Sequence, residues 1–399
     1  MTTARKGAFD GIRVLEFAAL VAGPSCGKYM ADHGADVIKV ERFPMGDVSR
    51  SGFLRGAARS PMFLQHNAGK RSICIDMKSP EGLESVRALI PGTDVVIEAF
   101  TPGVMARLGL GYGDLQALNP SIILCSISGF GQTGPNADRP GYAHISHAMA
   151  GWLGMQFLHR DPPEAPRGPG IAIGDTTTGL TAFGAVSAAL YRKATTGEGD
   201  HIDIALFDSL FGSNDSSLQH YLTTGDIDVW YHPVHATKDG YLTANVGPDH
   251  RSWAGACAAM GKPELANDPR FADAAALDEN KDAATEILRD WLATLSAEEA
   301  EMRLTEHHVA CGEVKTIDKA VRQPQVEARG LVRKVDDPIL GETEIINSAF
   351  CYANSESSVR GPAPTLGQHN HEILREILDY DDARLADMED RNILRSEQI

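Results

Sequence analysis

The first half of the chain alternates short apolar runs with stretches of helical periodicity. Ile12–Phe17 (IRVLEF), Asp36–Val40 (DVIKV), Ser72–Asp76 (SICID), Asp94–Phe100 (DVVIEAF) and Ser121–Ile127 (SIILCSI) read as buried strands. A turn at Gly23-Pro24 follows the first, then a helix through Met30 or Ala31. Ser79 is placed to cap a helix with Pro80 at its first position and Glu81 in its first turn. Gly82 stands where a capping box needs Glu or Gln. Strands alternating with helices predict βαβ units, a mainly parallel sheet and an α/β fold.

The pattern then predicts a long helix from Asp175 to about Lys193, a strand His201–Phe207 and a helix from Asp208 to about Tyr221. Beyond Gly225 the character changes. Lys238-Asp239-Gly240 signals a turn before a strand at Tyr241–Val246. Arg251 to Gln325 is charged and mostly helical, with Ser296-x-x-Glu299 as a capping box. A second, smaller domain over roughly 229–327 is expected. Strand-like segments return at Leu331–Val335 and Glu344–Phe350, followed by a helix near Glu372–Leu378.

Charge narrows the function. The 399 residues carry 37 Lys+Arg against 54 Asp+Glu, a formal charge of −17, which argues against a nucleic-acid partner. No run of 18 apolar residues predicts a membrane span, and Met1–Asp10 has no apolar core of a secretory signal, so a cytoplasmic protein is expected. The six cysteines form no C-x-x-C pair and the fourteen histidines show no metal spacing, so no metal is expected. The first strand-to-helix turn, Ala22-Gly23-Pro24-Ser25-Cys26-Gly27, lacks G-x-G-x-x-G, and no P-loop is present. A dinucleotide enzyme and a P-loop NTPase are therefore not expected.

Three constellations could carry chemistry. In Gly174-Asp175-Thr176-Thr177-Thr178-Gly179 the carboxylate sits where the long helix begins. It can serve as an N-cap. It can also be a nucleophile toward an activated acyl group, with the glycines admitting substrate. Lys39, Arg42, Lys70, Arg71 and Arg107, mostly near strand ends, would suit a ligand carrying several phosphates. Asn245-Val246-Gly247-Pro248-Asp249 is either a plain turn or a loop whose backbone N–H faces a reacting carbonyl.

The chain resembles the class III CoA-transferases, the group of the formyl-CoA:oxalate and carnitine enzymes. The resemblance runs over nearly its whole length. It is carried by Gly11–Glu16, Ala22–Pro24, Gly34–Glu41, Gly46-Asp47, Asn67–Ser72, Lys78–Gly82, Pro102–Met105, Arg107–Tyr112, Ser126–Pro135, Arg139–Tyr142, Pro324–Gly330 and Pro362–Gly367. It implies a Rossmann-like large domain with a smaller α+β domain, in an interlocked homodimer. The corresponding segments are 1–203, a helical linker 204–228, the small domain 229–327, and a return to the large domain over 328–399. It assigns Asp175 as the nucleophile, forming an aspartyl anhydride and then an aspartyl-CoA thioester as CoA passes from an acyl-CoA donor to a small carboxylic acid. CoA enters as substrate, with no tightly bound cofactor.

The same resemblance places Val21, Arg42, Lys70, Arg71, Phe100, Met105 and Arg107 against CoA, and likens Gly247 to the glycine loop over the site. Ala99 replaces the family's asparagine before Phe100, and Val21 replaces the glutamine of the formyl/oxalate enzymes, so that activity is not expected. Two alternatives stay open. One is an acyl-CoA racemase of the same superfamily, whose histidine position is Tyr142 here, with His144 two residues on. The other is a non-catalytic subunit of a heteromeric transferase. For the acceptor carboxylate, His33, Arg50, Arg55, His144 and His147 are open choices, and a succinyl-CoA/dicarboxylate pair is the default expectation.

Overall fold

The computed structural model describes residues 6–51, 58–155, 168–214, 216–227, 233–246 and 250–397. Six strands form one parallel sheet: β1 (Arg13–Phe17), β2 (Asp36–Arg42), β3 (Arg71–Ile75), β4 (Val95–Glu98), β5 (Ile123–Ser128) and β6 (Asp200–Ala205). Their order is β3-β2-β1-β4-β5-β6, so the chain winds one way from β1 and the other way from β4. A crevice opens at such a reversal, outside the carboxyl ends of the strands. Helices α1 (Ala22–Asp32), α2 (Pro61–Asn67), α3 (Pro80–Leu89), α4 (Val104–Arg107), α5 (Tyr112–Leu118), α6 (Ala143–Met149) and α7 (Ile173–Thr196) precede or separate the later strands.

Strands buried on both faces must be apolar throughout, which is why these runs lack alternation. Successive residues still part to opposite faces. Leu15, Ile38, Ile73 and Val96 pack with Val86 and Leu89 of α3. Val14, Val37, Val95 and Cys125 pack with Met30 of α1 and Val186 of α7. The C-terminal segment closes the first of these layers through Ile373, Leu374 and Leu385. Asn370 Oδ1 there accepts the Cys74 N–H at 2.9 Å, binding the returning chain to β3.

The chain divides into two compact units, 1–219 with 327–399, and 220–326. In the second, Val234–Ala236, Tyr241–Ala244 and Cys311–Glu313 form a three-stranded antiparallel sheet. Its core includes Leu242, Leu288, Leu292 and Leu304, with Trp253 edge-on to Phe271 at 5.0 Å. Cys311–Glu313 is an unexpected strand inside a segment read as helical. Ser79 and Ser296 cap their helices as the sequence suggests, accepting from Gly82 and Glu299 N–H at 2.9 and 3.1 Å. Glu299 itself turns to Arg303 at 2.7 Å. The helix expected from Asp208 to Tyr221 is two helices, Leu206–Gly212 and Ser216–Thr224.

Candidate active site at the sheet's switch point

Asp175 lies in the first turn of α7, whose N-cap is Ala172 and has no side-chain cap. The N-cap reading of Asp175 is thus corrected: it stands three residues inside the helix. No hydrogen bond reaches its carboxylate among the described residues. The three threonines of its block tolerate a helix because two hydroxyls bond backward, Thr176 to Ala172 O and Thr178 to Gly174 O at 2.6 Å.

The flanking glycines serve packing, and the reading that they admit substrate is also corrected. A Cβ on Gly174 would meet Leu210 Cδ1 at 3.0 Å and His147 Nε2 at 3.2 Å. One on Gly179 would meet Ser25 Cβ of α1 at 2.5 Å. These two positions let α7 sit against its neighbours and bring Asp175 to the strand ends.

There Asp175 lines a cleft of about 270 Å³ with Leu20, Val21, Phe100, Arg139 and Tyr142. Its wall is the loop after β1, the loop after β4 and the end of β5. Among the described residues, Asp175 and Arg139 are the only charged ones lining it. Burial pushes Asp175 up to about 6, outweighing the positive end of the α7 dipole. Arg139 is exposed, its guanidinium 5.7 Å over the Phe130 ring, with no carboxylate partner among the described residues. His147, which the sequence left as one of several open choices, accepts the Gly174 N–H on Nε2 at 2.9 Å.

The loop that forms the near wall rests on buried charge. Leu20 adopts φ +67, a left-handed conformation strained for a branched residue. Its N–H is held by Asp47 Oδ1 at 3.1 Å. Asp47 lies 2.9 Å from Lys39 Nζ, which donates to Glu16 at 2.9 Å and to Ala18 O at 2.7 Å. Lys70 completes the group, 2.6 Å from Glu16. For Glu16 burial alone would raise the pKa, yet Lys39 and Lys70 outweigh it and keep the carboxyl below its ordinary range. Burial lowers Lys70 to about 8 despite Glu16.

Two further clefts continue from the Asp175 cleft. The first, of about 430 Å³, shares Ala19 and Phe100 with it and reaches Arg42 and Lys78. The second, of about 710 Å³, shares Arg42 and Gly46 and adds Arg50, Arg59 and Arg395. Arg50 is bound to Glu41 at 2.6 Å and Arg59 to Asp337. Arg42, Lys78 and Arg395 have no carboxylate partner among the described residues.

The expected CoA-contacting residues therefore divide. Val21, Arg42 and Phe100 line the clefts. Lys70 does not; it is buried with Glu16, Pro24 O and Asn67. Arg71 opens β3 at the opposite sheet edge, tied to Asp36, Glu372 and Glu376. Lys39 is buried likewise. Met105 belongs to the apolar core. Arg107 is exposed in the last turn of α4, whose Val104 and next residue Leu108 line the middle cleft. Gly247 and Arg55 lie outside the described residues. His33 is buried, bonded to Tyr29 O and the Tyr352 hydroxyl. His144 is exposed and stacked on Tyr142. Arg139 and Lys78 were missed although both stand in the motifs that carry the resemblance.

Among the described residues no His/Cys/Asp/Glu group could hold a metal ion, and no helix is long and apolar enough to cross a membrane. Residues 9–370 match the family model described as CoA-transferase family III. The succinyl-CoA–D-citramalate CoA-transferase of Chloroflexus aurantiacus is 34% identical, covering 96% of this chain and 98% of that one. The succinate–glutarate CoA-transferase of Agrobacterium fabrum is 35% identical, covering 94% and 96%. A CAIB/BAIF family protein from Brucella suis superposes with a TM-score of 0.81 at 33% identity, covering 94% of this chain and 100% of that one. A doubly wound sheet, an unpaired carboxylate at its switch point and a match over nearly the whole length lead to one conclusion: the chain belongs to CoA-transferase family III.

Proposed function

We propose that the protein moves CoA between small dicarboxylic acids, with Asp175 as the covalent carrier. The observation that carries this is the Asp175 carboxylate at the switch point, without a hydrogen bond among the described residues, in a cleft whose one other charged residue among them is Arg139. A carboxylate stripped of hydrogen bonds keeps its lone pairs for attack. The ionised form attacks the donor thioester carbonyl; the C–S bond breaks, CoA leaves as thiolate, and an acyl-aspartyl anhydride forms. The thiolate then attacks the Asp175 carbonyl and expels the donor acid as its carboxylate. The acceptor carboxylate attacks the resulting aspartyl-CoA thioester, giving a second anhydride, which thiolate opens at the acceptor acyl carbon to regenerate Asp175. The positive end of α1 opens on the cleft at Val21 and Ala22, where it favours the oxyanion of each addition.

The dicarboxylate class is supported by the names of the two relatives and by Arg139, whose guanidinium has no carboxylate partner among the described residues and suits a distal carboxylate. The linked clefts with Arg42 and Lys78 suit the phosphates of CoA. Gly247 keeps its assignment as a backbone donor, and residues 229–327 theirs as the small domain, from the resemblance. An interlocked homodimer is consistent with the exposed Leu180 and Tyr191 on α7 and Phe211. We place the protein in the cytoplasm.

Against the racemase reading, Tyr142 occupies the histidine position and no histidine among the described residues lines the cleft. The test is mass spectrometry after incubation with an acyl-CoA panel and hydroxylamine. A hydroxamate on Asp175 with succinyl-type donors, absent in Asp175→Ala, is expected. Exchange of the acyl α-proton without any label would instead establish a racemase, and neither result would leave a non-catalytic subunit.

A further inference from the structure

The beginning of α7 poses a local problem. Its cap residue, Ala172, offers no side chain to the free N–H groups of the first turn. An aspartate in that turn is a natural acceptor for them. A carboxylate used in this way would be tied to the backbone and lose nucleophilicity. Here the N–H adjacent to Asp175, that of Gly174, is taken instead by His147 Nε2 from α6, at 2.9 Å.

We propose that His147 is a positioning residue for the Asp175 nucleophile: it accepts the Gly174 N–H from a neighbouring helix, fixing the first turn of α7 while leaving the carboxylate free. This rests on the reading of Asp175 as the covalent carrier.

Four observations converge on it. His147 is 2% exposed, so its ring is held by packing, with Trp152 at 5.3 Å between centroids. Accepting on Nε2 requires the neutral ring with its proton on Nδ1. That Nδ1 is itself buried without a partner among the described residues, so the only hydrogen bond the ring makes there is the one to Gly174. A buried donor left unmet disfavours the fold, and such groups call for an explanation. Finally, position 174 has room for the contact only as glycine. His147 Nε2, Leu210 Cδ1 and Ala143 Cα surround the place a Cβ would occupy, so Gly174 and His147 are matched. The ring does not line the cleft, so His147 acts through Gly174 and not on substrate.

The experiment compares wild type, His147→Leu and His147→Gln by single-turnover labelling of Asp175 from a donor thioester, alongside steady-state kcat and KM. Leucine keeps bulk and removes the acceptor; the glutamine carbonyl reaches about as far as Nε2. Misplacing a reacting group by about 1 Å costs on the order of 100-fold. His147→Leu should therefore lose roughly 10- to 100-fold in labelling rate and kcat, with the acyl-CoA KM changed by no more than about twofold. His147→Gln should recover most of that loss. Amide exchange at Gly174 should quicken in the leucine variant and slow again in the glutamine variant. If the folded leucine variant labels at the wild-type rate, or if glutamine is no better than leucine, the inference is overturned. If wild type itself never labels at Asp175, the covalent reading fails instead.

Discussion

Two sets of acids, one buried and one half-buried, stand at the same sheet edge and behave oppositely. Glu16 and Asp47 are enclosed with Lys39 and Lys70, and both are held below the ordinary carboxylate range against burial, Glu16 by the two lysines and Asp47 by Lys39 and Ser49. Asp175 is half-buried, with no ion pair and no hydrogen-bond donor on its carboxylate among the described residues, and desolvation raises it to about 6. The first arrangement is spent on shape: it holds the strained Leu20 loop that forms one wall of the cleft. The second leaves a carboxylate reactive. A charged residue held in an ion pair is scaffold, and one left without a partner at the switch point is chemistry.

The largest effect should come from removing the unsatisfied acid. Asp175→Ala should lower kcat by on the order of 10⁴-fold or more, since later steps all pass through the same group. Stability should move the other way. The folded pKa is raised from 3.8 to about 6, so the folded state binds that proton more tightly than the unfolded chain. Ionised Asp175 therefore destabilises the fold above about pH 6, and the penalty is relieved as pH falls from there toward 3.8. At neutral pH Asp175→Asn should stabilise by roughly 1–3 kcal/mol, seen as a higher denaturation midpoint.

Breaking the satisfied group should do the reverse. Lys39→Met strips Glu16 and Asp47 of a shared partner and should cost about 3–5 kcal/mol in urea unfolding. Whatever folded protein remains should bind acyl-CoA poorly, because Leu20 loses its anchor. If Lys39→Met is neutral in stability, the scaffold half of the comparison is wrong.

How much of this contrast the sequence shows depends on the residue. The strands were legible because burial on both faces demands continuous apolar runs, and Ser79 and Ser296 because capping is local. The three-residue strand Cys311–Glu313 was not, since it is too short to show a period and pairs with residues about 70 positions away. Lys39 and Lys70 were read as cations for a phosphate-bearing ligand, but both are buried against Glu16. The signal was present for Lys39 and Glu16, which interrupt the apolar runs VIKV and VLEF, where a charge must be buried and paired. Asp175 was reached through its block and the resemblance. Its freedom from hydrogen bonds, and the role of Gly174 in seating His147, depend on a helix packed from 27 residues away in the chain.

A smaller effect sharpens the substrate side. Arg139→Met should reduce kcat/KM for succinyl-type donors by roughly 10- to 100-fold, about the worth of a charge-assisted hydrogen bond, while leaving monocarboxylic acyl-CoA donors nearly unchanged. Equal losses for both classes would place Arg139 on the CoA portion instead of the acyl group.

The most direct measurement is the single-turnover rate of Asp175 labelling by donor thioester as a function of pH. The account predicts a rate that climbs about tenfold per pH unit and levels off above about pH 6, where the unpartnered carboxylate is ionised. A profile already flat from pH 4 to 8, or a label that maps to any other residue, would contradict it.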